Sequence, residues 1–406
     1  MPALTQLLPL RLPAFRLLFI STLASSFGSL LAAIALAIDV KDRTNSGFWV
    51  GAVLVVEFVP MILVGLTLGP LLDRLERRRL MIVSDLVRAG AFCLLPFATS
   101  PTQIVVLAGV VGLGNGFFQP AVYAGVPNLV PEGQLAEANA LLQTVENLSW
   151  AIGPVIGGLL TAATSPDTAY WINAVSFFIS AALIARIPKE GLQSAIALTR
   201  GHWTDLKDGF RAVLNSRALL AVLLAWGVAG LGIGSISVSE VFLAKNTFGA
   251  GDFGYGLLFG GIGTGLVLGS FWSSTFTRRF GVARTYGAAL GVMAMGFAAA
   301  GLSPNVWVAA ACCVVGGVGD GVAIVCNALL VQRGAADAVR GRALTVLMSG
   351  TRLVQAVSII LAGALMPPDA ARWVFVAGAA SFALAAAIGY GLAREPAGAA
   401  ATAAAG

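Results

Sequence analysis

The chain has 406 residues, 58% of them hydrophobic and only 11% charged, where an ordinary soluble domain carries roughly a quarter charged residues. That much apolar sequence exceeds what one soluble core can bury, so a single water-soluble domain is excluded and the bilayer is the fitting solvent. The formal charge of +6 does not signal nucleic acid, because the basic residues sit in short breaks between apolar runs.

From the N-terminus, apolar segments run over 14–39, 47–71, 79–99, 102–127, 138–163, 168–187, 217–244, 253–276, 282–302, 304–331, 342–366 and 370–393. Each predicts a helix that spans a hydrocarbon core about 30 Å thick at about 1.5 Å per residue. Membrane strands would instead alternate over about ten residues. The first run is too long for a cleavable signal. Residues 188–216 read as a cytoplasmic linker, with the sole histidine, His202, on its surface, and 396–406 as a disordered low-complexity tail. Cys93, Cys312, Cys313 and Cys326 all fall in apolar segments without metal-ligand spacing and are read as packing residues. No cofactor or metal is expected.

Basic residues set the orientation. They cluster before helix one, at Arg74–Arg79, between Arg186 and Arg217, at Arg278–Arg284, at Arg333–Arg342 and at Arg394. Nineteen lie on that side, against Lys41, Arg43, Lys245 and Arg372 on the other. The positive-inside rule then places both termini in the cytoplasm of a multi-pass cell-membrane protein.

The two halves repeat. Gly112-Leu-Gly-Asn115-Gly116 returns as Gly317-Val-Gly-Asp320-Gly321, and Gly157-Gly158 returns as Ala362-Gly363 at the same spacing. Gly65 and Gly69 correspond to Gly265 and Gly269 after a short insertion. The fold class expected is therefore all-α integral membrane, with twelve transmembrane helices in two six-helix bundles related by a pseudo-two-fold axis. The bundles are 1–187 and 217–395.

Between helices two and three stands Gly69-Pro-Leu-Leu-Asp73-Arg74-Leu-Glu76-Arg77-Arg78-Arg79. Gly69 permits close backbone approach, Asp73 suits a helix N-terminus, and the arginines suit anionic lipid headgroups. Helix five carries Ser149-Trp-Ala-Ile-Gly153-Pro154-Val-Ile-Gly157-Gly158, where the mid-helix proline permits a bend and the flanking glycines allow tight contact. The first run resembles the loop signature of the major facilitator superfamily, with Glu76 where a glycine is usual. The second resembles its antiporter signature, with Ser149 for the first glycine. Phe117-Phe118-Gln119-Pro120-Ala121 and Leu135-Ala-Glu-Ala-Asn139-Ala-Leu141 are similar to the branch with macrolide-efflux proteins and the enterobactin exporter. The resemblance spans about residues 12–393. It implies the major facilitator fold, gating by Gly69, Asp73, Arg74, Arg77 and Arg78, and export associated with Gly153, Pro154, Gly157 and Gly158. The family's helix-four arginine is absent, since Val110 or Ala108 stands in its place.

An ionisable group inside the bilayer is costly, so each is a functional candidate. Glu57, Arg88, Glu146, Glu240, Asp320 and Arg352 qualify, while Asp39 and Asp85 are expected to reach water near helix ends. Glu57 is the first choice for proton coupling, ahead of Asp320 and Glu146, because a desolvated carboxylate in a cavity suits proton exchange. Asp320 has a structural hydrogen bond as its alternative role. Glu146 and Arg352 are expected at gating or cavity positions of equal depth. Phe27, Phe58, Asn115, Phe118, Gln119, Trp226, Asn327, Arg352 and Gln355 are the substrate-cavity candidates, with packing as the plainer role of the aromatics.

The expected function is secondary export of amphipathic small molecules of drug, macrolide or siderophore type by proton antiport and alternating access. The partners expected are the small-molecule substrate, protons and membrane lipids around a monomer, with no nucleic acid. Uptake, lipid-like cargo and a non-transporting role on the same fold are the alternatives. No G-x-x-x-x-G-K-[ST] loop, H-E-x-x-H or G-x-S-x-G occurs, so neither an ATP-driven pump nor an enzyme is expected.

Overall fold

A computed structural model describes residues 7–67, 75–189, 192, 210–211, 213–334 and 337–392, and among them all long elements are helices. In chain order these are α1 (Pro13–Thr44), α2 (Gly47–Thr67), α3 (Arg77–Leu94), α4 (Pro101–Leu129), α5 (Leu135–Ala163) and α6 (Pro166–Ile184). They continue with α7 (Arg217–Phe242), α8 (Gly251–Phe280), α9 (Val282–Leu302), α10 (Val306–Gly334), α11 (Asp337–Leu365) and α12 (Ala371–Leu392). Among the described residues, ten helices are long and apolar enough to cross a membrane. The other two are α2, apolar over Gly47–Pro60, and α5, whose first half carries Glu137, Gln143 and Glu146.

The helix ends follow local chemistry. Ser100 and Gln103 form a reciprocal capping box at α4, with Pro101 at its first position. Asn45 takes a left-handed conformation, φ 42°, to end α1, and Gly281, φ 80°, makes the tight turn between α8 and α9. Pro60, Pro120, Pro127 and Pro154 lie inside helices, a position tolerated in membrane helices where neighbours satisfy the freed carbonyls. α7 runs on into a π-helical turn, Leu243–Thr247.

The chain divides into two compact units. The first is Met1–Thr199 with Ser237–Gly263 and Ile359–Ala371; the second is Arg200–Ile236, Thr264–Ser358 and Arg372–Gly406. Within the first, α1 packs on α5 and α6, and α4 packs on α2 and α3. A Cβ on Gly112 of α4 would meet the Glu57 carbonyl oxygen of α2 at 2.8 Å, so the glycine sets that approach. Within the second unit α9 packs on α10, and Gly265 and Gly269 of α8 lie against the Val314 and Val318 carbonyls of α10. A glycine thus sets the close approach in both the α4-on-α2 and the α8-on-α10 contacts.

Gly69, Asp73, Arg74, His202, most of 188–216 and all of 396–406 lie outside the described residues.

Candidate functional site

The polar interior of the first unit centres on α3. Arg88 is 3% exposed and Asp85 0%, so the aspartate does not reach water as its sequence position suggested. Instead the two pair across one helical turn, an i,i+3 spacing that could have revealed them. Arg88 Nη1 donates to Asn115 Oδ1 of α4 at 2.7 Å. Its guanidinium lies 4.2 Å from the Phe118 ring centre and 4.3 Å from that of Phe177. Asn115 and Phe118, read as cavity candidates, are both in contact with this arginine. Asp39 is likewise buried: its Oδ1 accepts from Arg43 at 2.7 Å and its Oδ2 from the Tyr170 hydroxyl at 3.0 Å.

The described arginines of the loop motif have protein partners. Arg77 donates to the carbonyls of Ala124, at 2.9 Å, and Leu192, at 3.2 Å, while Arg78 donates to that of Ala185. Glu76, the departure from the family pattern, accepts from Arg79 at 2.9 Å. Helix ends present unpaired carbonyls that favour cations, which accounts for Arg78 at Ala185, the residue that follows α6.

On α5, Glu146 accepts from the Tyr123 hydroxyl of α4 at 2.9 Å and from Gln143 at 3.4 Å. The helix-five motif divides its contacts. Cβ atoms on Gly153 and Gly157 would meet Leu30 and the Leu31 carbonyl of α1, whereas one on Gly158 would meet the Asp252 carbonyl at 2.7 Å and Gly256 of α8 at 2.9 Å. Further contacts of the same unit join α2 to α11, where Gly47 faces the Gly363 carbonyl and Gly51 that of Ile359. Phe27 lines an apolar groove of about 700 Å³ between α1, α5 and α6, with Leu148, Trp171 and Ile179. Gln119 is exposed, and Phe58 and Trp226 are partly buried.

Glu57 of α2 and Glu240 of α7 both lie within electrostatic reach of Tyr255 of α8. Glu240 is 1% exposed and its Oε1 has no hydrogen-bond partner among the described residues. In the second unit Asp320 of α10 lies within electrostatic reach of Arg352 of α11, and Arg352 donates to Gln355 at 3.3 Å. Asp320 Oδ1 and Asn327 Oδ1 are buried without a partner among the described residues. No cluster of three or more potential metal ligands occurs among the described residues.

Residues 4–405 match the family described as transmembrane secretion effector, a branch of the major facilitator superfamily. The chain belongs to that family. It is a multi-pass membrane transporter, similar over most of its length to efflux proteins of this superfamily. The multidrug efflux pump Tap of Mycolicibacterium fortuitum is 27% identical over 383 residues, which cover 89% of this chain and 91% of that protein. Macrolide efflux protein A of Streptococcus pyogenes is 25% identical over 203 residues, 48% of this chain and half of that protein's length. A solved structure of a bacterial homologue of the iron transporter ferroportin, in an inward-facing state, superposes with a TM-score of 0.76 at 15% identity, covering 94% of this chain and 99% of the other. At that identity the likeness establishes the major facilitator fold and nothing about cargo. Exposed apolar side chains such as Phe271, Trp307 and Leu365 are what a secretion effector's helices present to lipid.

Proposed function

We propose that this transporter exports amphipathic small molecules by proton antiport, through alternating access of two six-helix halves with twelve spans and both termini in the cytoplasm. The observation that carries the reading is the near full-length similarity to a multidrug efflux pump. It is supported by the helix-five glycines, of which Gly157 fits against α1 and Gly158 against α8. A proline-containing helix in contact with two neighbours is a natural pivot for an access change. Glu57 is the leading coupling carboxylate. It lies within electrostatic reach of Tyr255 and has no ion-pair partner among the described residues.

The test is transport in proteoliposomes with an imposed pH gradient, using ethidium, a macrolide and a siderophore as cargo. Uphill movement of at least one, abolished by collapsing the gradient, is expected. Cargo that equilibrates without following the gradient would overturn antiport, and failure to move any of the three would overturn drug export. Glu57→Gln is expected to lose gradient-driven movement while retaining exchange between loaded compartments.

A further inference from the structure

The polar side chains in the first half of α5 are organised into a strip. Gln143 is exposed, Glu146 and Asn147 are partly buried, and the three share one helix face at i, i+3 and i+4. Gln143 Nε2 donates to Glu146 Oε2 at 3.4 Å and to Asn147 Oδ1 at 3.2 Å. From α4 the Tyr123 hydroxyl, on a side chain 38% exposed, donates to Glu146 Oε1 at 2.9 Å. α5 has 29 residues, about 43 Å of helix, so on the twelve-span reading these positions fall within an apolar core about 30 Å thick. Amides and a carboxylate left accessible at that depth face water and not acyl chains.

One turn further along the same face stands Trp150, 40% exposed, whose ring stacks on Phe259 of α8 at 5.4 Å and 15°. From there outward α5 and α8 touch backbone to backbone: a Cβ on Gly263 would strike the Trp150 carbonyl, and one on Gly256 the Pro154 carbonyl. The polar strip therefore ends at a flat aromatic pair where the two helices close.

The composition of the strip selects a chemistry. A phenol and two amides each donate and accept, and the carboxylate accepts at two oxygens. Neighbouring hydroxyls match this set, since each also donates and accepts and two of them can reach both oxygens of Glu146. A lone ammonium would use the carboxylate and leave the amides idle. The adjacent rings suit the flat apolar body of the same molecule.

We propose that Tyr123, Gln143, Glu146 and Asn147 bind the hydroxyl-rich head of an uncharged, glycoside-like cargo, with Trp150 and Phe259 against its flat body. The inference rests on the export reading above and gives it a cargo class.

The experiment uses the full-length protein in lipid nanodiscs and two uncharged probes built on one ring, methylumbelliferyl glucoside and methylumbelliferone methyl ether, which lacks the sugar. Equilibrium dialysis, with empty nanodiscs subtracted, gives the affinity of each. The wild type is expected to prefer the glucoside about ten-fold. Gln143→Ala and Asn147→Ala should each cut that preference about three- to ten-fold, and Trp150→Leu should weaken both probes together. Should the α5 variants fail to fold, Tyr123→Phe, which removes a single oxygen from α4, is expected to lower the same ratio. Equal affinities of the wild type for the two probes would overturn the proposal, as would a preference that survives every one of the polar substitutions. Gradient-driven ethidium export by a wild type that shows no glucoside preference would remove the cargo class and leave export standing. A wild type that moves nothing along the gradient would remove the export reading itself, which the dialysis measurement does not depend on.

Discussion

Lys245 Nζ lies 2.7 Å from Asp42 Oδ2, joining the π-helical turn after α7 to the end of α1 across 203 positions of sequence. The same ammonium binds Asp252 at the start of α8. One cation thus ties three helix ends within the first compact unit, although Lys245 and Asp252 come from the second half of the sequence.

Loss of that cation should have a modest effect that depends on salt. Asp42 is 46% exposed, so the pair is screened and worth on the order of 0.2–1 kcal/mol. Lys245→Met is expected to change the export rate about two- to five-fold, and 1 M salt should mimic it in the wild type. Both are measured in proteoliposomes. A change above ten-fold that salt does not reproduce would show that Lys245 does more than bridge carboxylates.

The Asp85–Arg88 pair should behave in the opposite way. Both are buried, and removing one partner strands the other's charge, at a cost of about 3–5 kcal/mol. Arg88→Met is therefore expected to lower the melting temperature in detergent sharply, and Asp85→Asn with Arg88→Met to recover much of the loss. If the double variant melted no higher than the single, the pair would not be the source of the cost.

The sequence made the helices legible because lipid demands long apolar runs, and α9 begins and ends where hydropathy alone placed it. Gly265 and Gly269 lie at a close helix contact, with α10, as small residues in lipid-embedded helices do, though their spacing does not name the partner helix. The polar contacts were far less legible. Glu240 and Glu57 lie in helices far apart in the chain, and nothing in their local pattern predicts that both would come within electrostatic reach of one tyrosine. Asp85 was misread as a helix-end residue because hydropathy reports how apolar a segment is, and not which face of α3 turns to α4 and α6. Nor does hydropathy predict that Phe118 lies against Arg88.

Glycines that bring backbones together should be intolerant of a side chain in proportion to what a Cβ would strike. On Gly158 it would come 2.7 Å from the Asp252 carbonyl oxygen, a backbone atom that cannot rotate away. Gly227, in α7, has nothing within 4 Å. Gly158→Ala is expected to cost about 1–3 kcal/mol of packing and to slow export, whereas Gly227→Ala should be neutral. Comparable melting temperatures and rates for the two variants would contradict the close α5–α8 approach.

Asp320 and Arg352 provide the counterpart test in the second unit. Each is the strongest charged influence on the other, and Arg352 is additionally anchored to Gln355. If their attraction is the main reason Asp320 is tolerated in α10, then Asp320→Asn and Arg352→Gln should each destabilise, and the double variant should fall short of their sum. A coupling of roughly 0.5–3 kcal/mol is expected for residues in one network, read from melting of the four proteins in detergent. If Asp320 carries a proton during transport, Asp320→Asn should in addition lose gradient-driven export that the double variant does not regain. Coupling in stability with full export in Asp320→Asn would assign the pair to structure and leave Glu57 and Glu146 as the remaining candidates for proton coupling.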